Sequence, residues 1–149
     1  AVPLYKQLKL LQQNMLAVVG GISSGVAASA VSIFLMSRAL GLNHEHYVTL
    51  LPKSITTAIG MGVSEEAGGA VVCIIFTGVL GNIIAEAAFK IFKIEEPIAK
   101  GLALGTSAHA VGTAKALELG EVEGAMSSLA IAVSGLMTVV VVPLMAGLI

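Results

Sequence analysis

The chain has 149 residues, 56% of them hydrophobic and 11% charged, with a net charge of −1 at pH 7. A soluble domain carries about 25% charged residues, so this chain lacks the polar coat that would keep a folded surface in water. The composition excludes an ordinary soluble enzyme and, with no basic tract, a nucleic-acid partner; it predicts a membrane protein.

The opening stretch "AVPLYKQLKLLQQN", with Lys6 and Lys9, reads as an interfacial helix or loop. It begins without Met, as if cut from the end of a preceding helix, and so reads as the C-terminal part of a longer protein. A first membrane span is predicted over 14–42, where about 20 apolar residues suffice to cross the bilayer. Within it Ala17, Gly21, Gly25 and Ser29 recur every four residues, a small-residue stripe that allows close helix approach. The "LNHEHY" loop follows; His44, Glu45 and His46 read as solvated groups rather than metal ligands.

A second span is predicted over 70–92. Cys73 there is a small buried hydrophobe, Asn82 either interhelical glue or a site residue, and Glu86 with Lys90 an ordinary i,i+4 pair. A third span is predicted over 125–149. Ala130, Ser134 and Thr138 repeat the small-residue stripe, and Pro143 should bend or end the helix.

Two further segments, 52–69 and 97–124, fit no simple span. Each starts at a proline, runs through Thr- and Gly-rich sequence, and reaches an acidic group; Thr56 precedes Glu66, and Thr113 precedes Glu123, by the same interval. Paired Gly/Pro-interrupted segments in a membrane chain point to broken or re-entrant helices at a transport site. If 52–69 returns to its own side, Lys6, Lys9, Lys90, Lys93 and Lys100 share one face of the membrane. Arg38, His44, Glu45 and His46 then lie on the other, in keeping with the positive-inside bias. The fold class expected is all-α and polytopic, a single domain over 1–149 with an inverted repeat.

Unwound backbone at membrane depth must line a cavity or be buried in protein. An unwound 105–113 would offer N–H groups and hydroxyls suited to a small carboxylate. Candidate substrate ligands are Thr106, Ser107, His109 and Thr113, with Thr56 and Thr57 from the other segment. Lys53 or Lys115 would supply the balancing charge. Glu66 and Glu123 could carry coupled protons or cations, or simply cap the spans that follow them. The competing reading is a continuous polar helix whose hydroxyls bond back to i−4 carbonyls. No dinucleotide, phosphate-loop or hydrolase motif is complete, so no catalytic residue, metal or cofactor is expected.

The stretches "PKSITTAIGMGVSEEAGG" and "EEPIAKGLALGTSAHAVGTAKALELGEVEGAMSSLA", with the opening "AVPLYKQ", resemble the LrgB/CidB family of bacterial membrane proteins over essentially the whole chain. The resemblance implies one of two functions. Plastid relatives move glycolate and glycerate, which implies a carrier of short hydroxycarboxylates. The other implied role is an antiholin-like modulator of murein hydrolase activity and autolysis, acting with a small LrgA/CidA-type partner. Either implies a multi-pass protein of the bacterial inner membrane that self-associates, and not an enzyme.

Overall fold

A computed structural model describes residues 7–51 and 67–148 of the chain. Lys53, Thr56, Thr57, Glu66 and nearly all of the segment 52–69 therefore lie outside the described residues. The described residues form six helices in chain order: α1 (Leu8–Gln13), α2 (Met15–Leu40), α3 (His44–Leu50), α4 (Ala67–Ile91), α5 (Pro97–Leu119) and α6 (Glu121–Ala146). Among them α2, α6 and the stretch Val71–Ile91 of α4 are long and apolar enough to cross a bilayer. The protein is an all-α, multi-pass membrane protein.

The third span starts four residues earlier than its apolar run suggested, because Glu121 and Glu123 form its first turn. Negative charge there suits the positive end of the helix. Pro143 does not end α6, which continues to Ala146. Its missing N–H leaves the Val139 carbonyl one turn back without its helical donor, and the helix absorbs that loss.

The chain direction of each helix follows from its contacts. At one end of the bundle lie Asn14, Glu96 and Ile98, which border one groove, and Lys90, Lys93, Lys100 and Leu119, which border another cavity. At the other end Tyr47 of α3 donates a hydrogen bond to the Met145 carbonyl of α6 at 2.9 Å and packs with Ile33 and Val142. Burial pushes the Tyr47 phenol's pKa up, so it stays a neutral donor. Thus α2 and α6 run from the lysine end to the Tyr47 end, and α4 finishes back at the lysine end.

The remaining helix, α5, does not cross. His109 interrupts it with φ 51° and ψ −131°, dividing it into α5a (97–108) and α5b (110–119). Gly101 lies against Glu123 and Met126, and Gly105 against Ser127 and Ala130, so α5a runs in the same direction as α6. Thr113 then meets Ser127 and Gly124 meets Leu117, so α5b runs back along α6 in the opposite sense. A Cβ built on Gly112 would stand 2.5 Å from the Leu104 carbonyl oxygen; eight residues along a straight helix would separate them by about 12 Å. The segment is a re-entrant helical hairpin.

The small-residue stripes hold this hairpin in place. Gly21 faces Leu102 and Gly25 faces Thr106, bringing α2 close to α5a. Ala130, Ser134 and Thr138 are all buried on α6. Val18, Ile22 and Val26 complete a core with Leu102 and Met126, where α2, α5a and α6 meet.

Candidate functional site

Among the described residues, the hairpin tip is the place where helix geometry fails inside a long helix. A positive φ with ψ near −130° is glycine territory, and holding histidine there costs about 1–3 kcal/mol. The surroundings hold it: Ala108 rests against Gly78 and Gly81 of α4, and Asn82 donates from Nδ2 to the Val111 carbonyl at 3.2 Å. Asn82 is thus the interhelical glue, and it acts at the break itself. His109 is buried, with 2% of its surface exposed.

The tip lies at mid-depth. Gly25 on α2 and Gly81 on α4 face it, residue 25 being ten from Met15 and residue 81 ten from Ile91. Ten helical residues rise about 15 Å, half of the roughly 30 Å hydrocarbon layer. There α5a ends and α5b begins, so the first N–H groups of α5b, which have no i−4 carbonyl of their own helix, are presented at the centre of the membrane.

The hydroxyls are arranged differently from the expectation of an unwound 105–113. Only His109 leaves helical geometry, so each hydroxyl still has a carbonyl one turn behind it. Thr106 donates to the Leu102 carbonyl at 2.8 Å, Ser107 to Ala103 at 2.6 Å and Thr113 to His109 at 2.9 Å. The back-bonding reading holds for these three, and their single protons are spent. Each retains a lone pair, and Thr113 uses one on Ser127, 2.7 Å away.

Lys115 is paired within the protein. Its ammonium lies 2.7 Å from Glu86 and 3.3 Å from Glu118, so its charge is matched by protein carboxylates. Glu86 meets this lysine across the α4–α5b contact, and this pair outweighs the local interaction with Lys90. Glu123 is buried at the third position of α6, over Gly120, one turn before Ser127. That is a capping position towards the membrane end, not the tip.

A groove of about 710 Å³ joins the lysine end to the tip. It runs between α2 and α5a, from Asn14 and Glu96 past Gly21 and Gly25 to Thr106 and Ser107. The small-residue stripe therefore serves two purposes: it admits α5a closely and leaves a hollow beside it. Thr106 and Ser107 share this groove, while His109 and Thr113 sit at the break. Ser127 was not anticipated: only its fold-back partner gives it a role, and no local spacing signals it.

The LrgB-like family model matches residues 1–148. The chain belongs to the LrgB-like family. The antiholin-like protein LrgB of Bacillus cereus strain B4264 is 40% identical over 148 residues, covering 97% of this chain and 64% of that protein. The LrgB protein of Bacillus anthracis strain CDC 684 / NRRL 3495 matches to the same extent. The chain thus spans 64% of the length of these relatives. No solved structure matches the chain.

Proposed function

We propose that this LrgB-family chain forms the substrate-binding part of a carrier for short hydroxycarboxylates such as glycolate or glycerate. The observation that carries the reading is the hairpin break at mid-depth. A re-entrant pair of half-helices is stable in a membrane only when it is enclosed, and a half-helix start aimed at the midplane suits a carboxylate. The substrate oxygens are held by the α5b N–H groups and the His109 imidazole, with Thr113 and Ser127 fixing the tip from behind. Thr106 and Ser107 line the approach along the groove, and a 710 Å³ hollow is ample for a three-carbon acid. Lys53, Thr56 and Thr57 complete the site from the segment 52–69, and Glu66 carries the coupled proton or cation; Glu123 caps α6. The protein resides in the bacterial inner membrane with its lysine end in the cytoplasm.

Proteoliposome uptake of radiolabelled glycolate and glycerate tests the proposal. Loss of one hydrogen bond to a charged ligand costs about 1.5–3 kcal/mol, roughly a 10- to 150-fold weakening. His109→Gly removes the imidazole and relieves the strained backbone, so it should abolish most flux without lowering thermal stability. Ser32→Ala, on an exposed face where the hydroxyl bonds only its own helix, should transport normally. Unchanged flux in His109→Gly would place the site elsewhere.

A second reading is favoured by the names of the relatives, which are antiholin-like. In it the protein self-associates, acts beside a small LrgA/CidA-type membrane protein, and restrains murein hydrolase activity. Wild-type protein that moves no short hydroxyacid, yet delays lysis in cells, would decide for it.

A further inference from the structure

The end of α4 carries a feature that substrate binding at the tip leaves unexplained. The C-terminus of α4 closes with the Ile94 N–H donating to the Phe89 carbonyl at 2.9 Å and the Lys93 N–H to Lys90 at 3.3 Å. This pair of bonds is the Schellman closure, whose central residue must be left-handed and is ordinarily glycine. The end of α2 obeys that rule: Leu42 bonds back to Ser37 at 2.9 Å, and the left-handed residue is Gly41, with φ 64°. In α4 the left-handed residue is Lys93, with φ 52°. A long charged side chain is kept where glycine would be relaxed, and strain of that kind clusters where a side chain is needed.

That side chain borders a cavity of about 430 Å³ at the lysine end, together with Lys90 and Lys100. Glu86 and Glu95 border it too, and Glu86 is ion-paired with Lys115 at 2.7 Å. The cavity is therefore bordered by three lysines against two carboxylates, one of which is ion-paired with Lys115. It lies between helix ends, about 15 Å from the hairpin tip, at the level where lipid headgroups reside.

We propose that this cavity binds a phosphate oxyanion, supplied by the headgroup of an anionic phospholipid of the same leaflet. Basic pockets between helices on the cytoplasmic side are suited to such headgroups. A zwitterionic headgroup carries the same phosphate with its own cation attached, and the lysines repel that cation. Lys93 is the specific element: the left-handed residue borders the same cavity as Lys90 and Lys100, which come from two separate helices.

The test is binding of short-chain phosphatidylglycerol to the purified protein, followed by thermal shift and native mass spectrometry. Short-chain phosphatidylcholine and inorganic phosphate are the parallel arms. Phosphatidylglycerol should raise the melting temperature and phosphatidylcholine should not. Stabilisation by inorganic phosphate alone, equal to that by phosphatidylglycerol, would support the oxyanion site and assign it to a soluble source. Each of Lys90→Gln, Lys100→Gln and Lys93→Gly should weaken phosphatidylglycerol about fivefold. Lys93→Gly should at the same time raise the melting temperature in lipid-free detergent, because it relaxes the left-handed residue. If Lys93→Gly is more stable but binds phosphatidylglycerol like wild type, the lysine is mere tolerated strain and the proposal falls. Equal binding of the two lipids overturns it as well.

Discussion

A methyl group is enough to disturb the hairpin's seat. At Gly105 an added Cβ would run into the Ser127 carbonyl oxygen and stand 2.7 Å from the Ala130 Cβ. Neither neighbour is the end of a flexible side chain, so helix α5a must move. Gly105→Ala should therefore cost about 1–3 kcal/mol, the range for overpacking. Gly20 offers the contrast, with nothing within 4 Å of its added Cβ. Gly20→Ala in that exposed helix interior should gain about 0.5–1 kcal/mol. Melting temperatures of the two variants in one detergent check both signs. A neutral Gly105→Ala would mean that α5a and α6 are not in contact there. The sequence marked these positions only partly. A glycine in a polar segment announces a break or a close approach, but which of the two depends on a partner helix that no local pattern names.

At the level of the helix, the fold-back of α5 makes a distance prediction. Ala99 and Leu117 are both exposed. Along an uninterrupted helix they would stand about 27 Å apart. In the hairpin both lie at the lysine end, separated by little more than the 8–10 Å between packed helix axes. Spin labels on Ala99→Cys and Leu117→Cys, with Cys73→Ala, should report the short distance. Much of this was legible beforehand: Pro97 marked the start, the Gly- and Thr-rich run marked a break, and the acid pair marked the next helix. The extent of unwinding was not legible, because a Ser or Thr that stabilises an unwound turn can equally bond back within an intact one. The ion pair of Glu86 with Lys115 was hidden for a different reason. It joins residues distant in sequence, brought level because α4 and α5b run side by side in the same direction. Exchanging the pair tests this: Glu86→Lys and Lys115→Glu should each impair resistance to proteolysis, and the double exchange should restore it.

For the molecule as a whole, the arrangement of charge sets the sidedness. Lys90, Lys93 and Lys100 border one cavity, with Lys9 just before the start of α2 at that same end. Arg38 and His44 lie at the opposite end, where α2 finishes and α3 begins. Loops rich in lysine stay in the cytoplasm. A cysteine at His44 should react with an impermeant maleimide added to intact cells lacking Cys73, and one at Lys93 should not. The reverse pattern would invert this orientation. The three spans and their lipid-facing belt of Leu, Ile, Val and Phe were plain in the composition, since an apolar run needs no partner to be recognised. The return of α5 to its starting side was an alternative that contacts with α6 had to decide.

The hairpin also constrains the order in which the chain enters the membrane. Its half-helices, residues 97–108 and 110–119, are each shorter than the ~20 residues a span requires. Neither can partition into lipid on its own. Gly101 and Gly105 are seated on Glu123, Met126, Ser127 and Ala130 of α6, which leave the ribosome later. The nascent hairpin should therefore wait at the bilayer surface until α6 has crossed, then slide in beside it. Chains halted before residue 121 should leave positions 106–113 open to soluble reagents, and chains continued through α6 should close them.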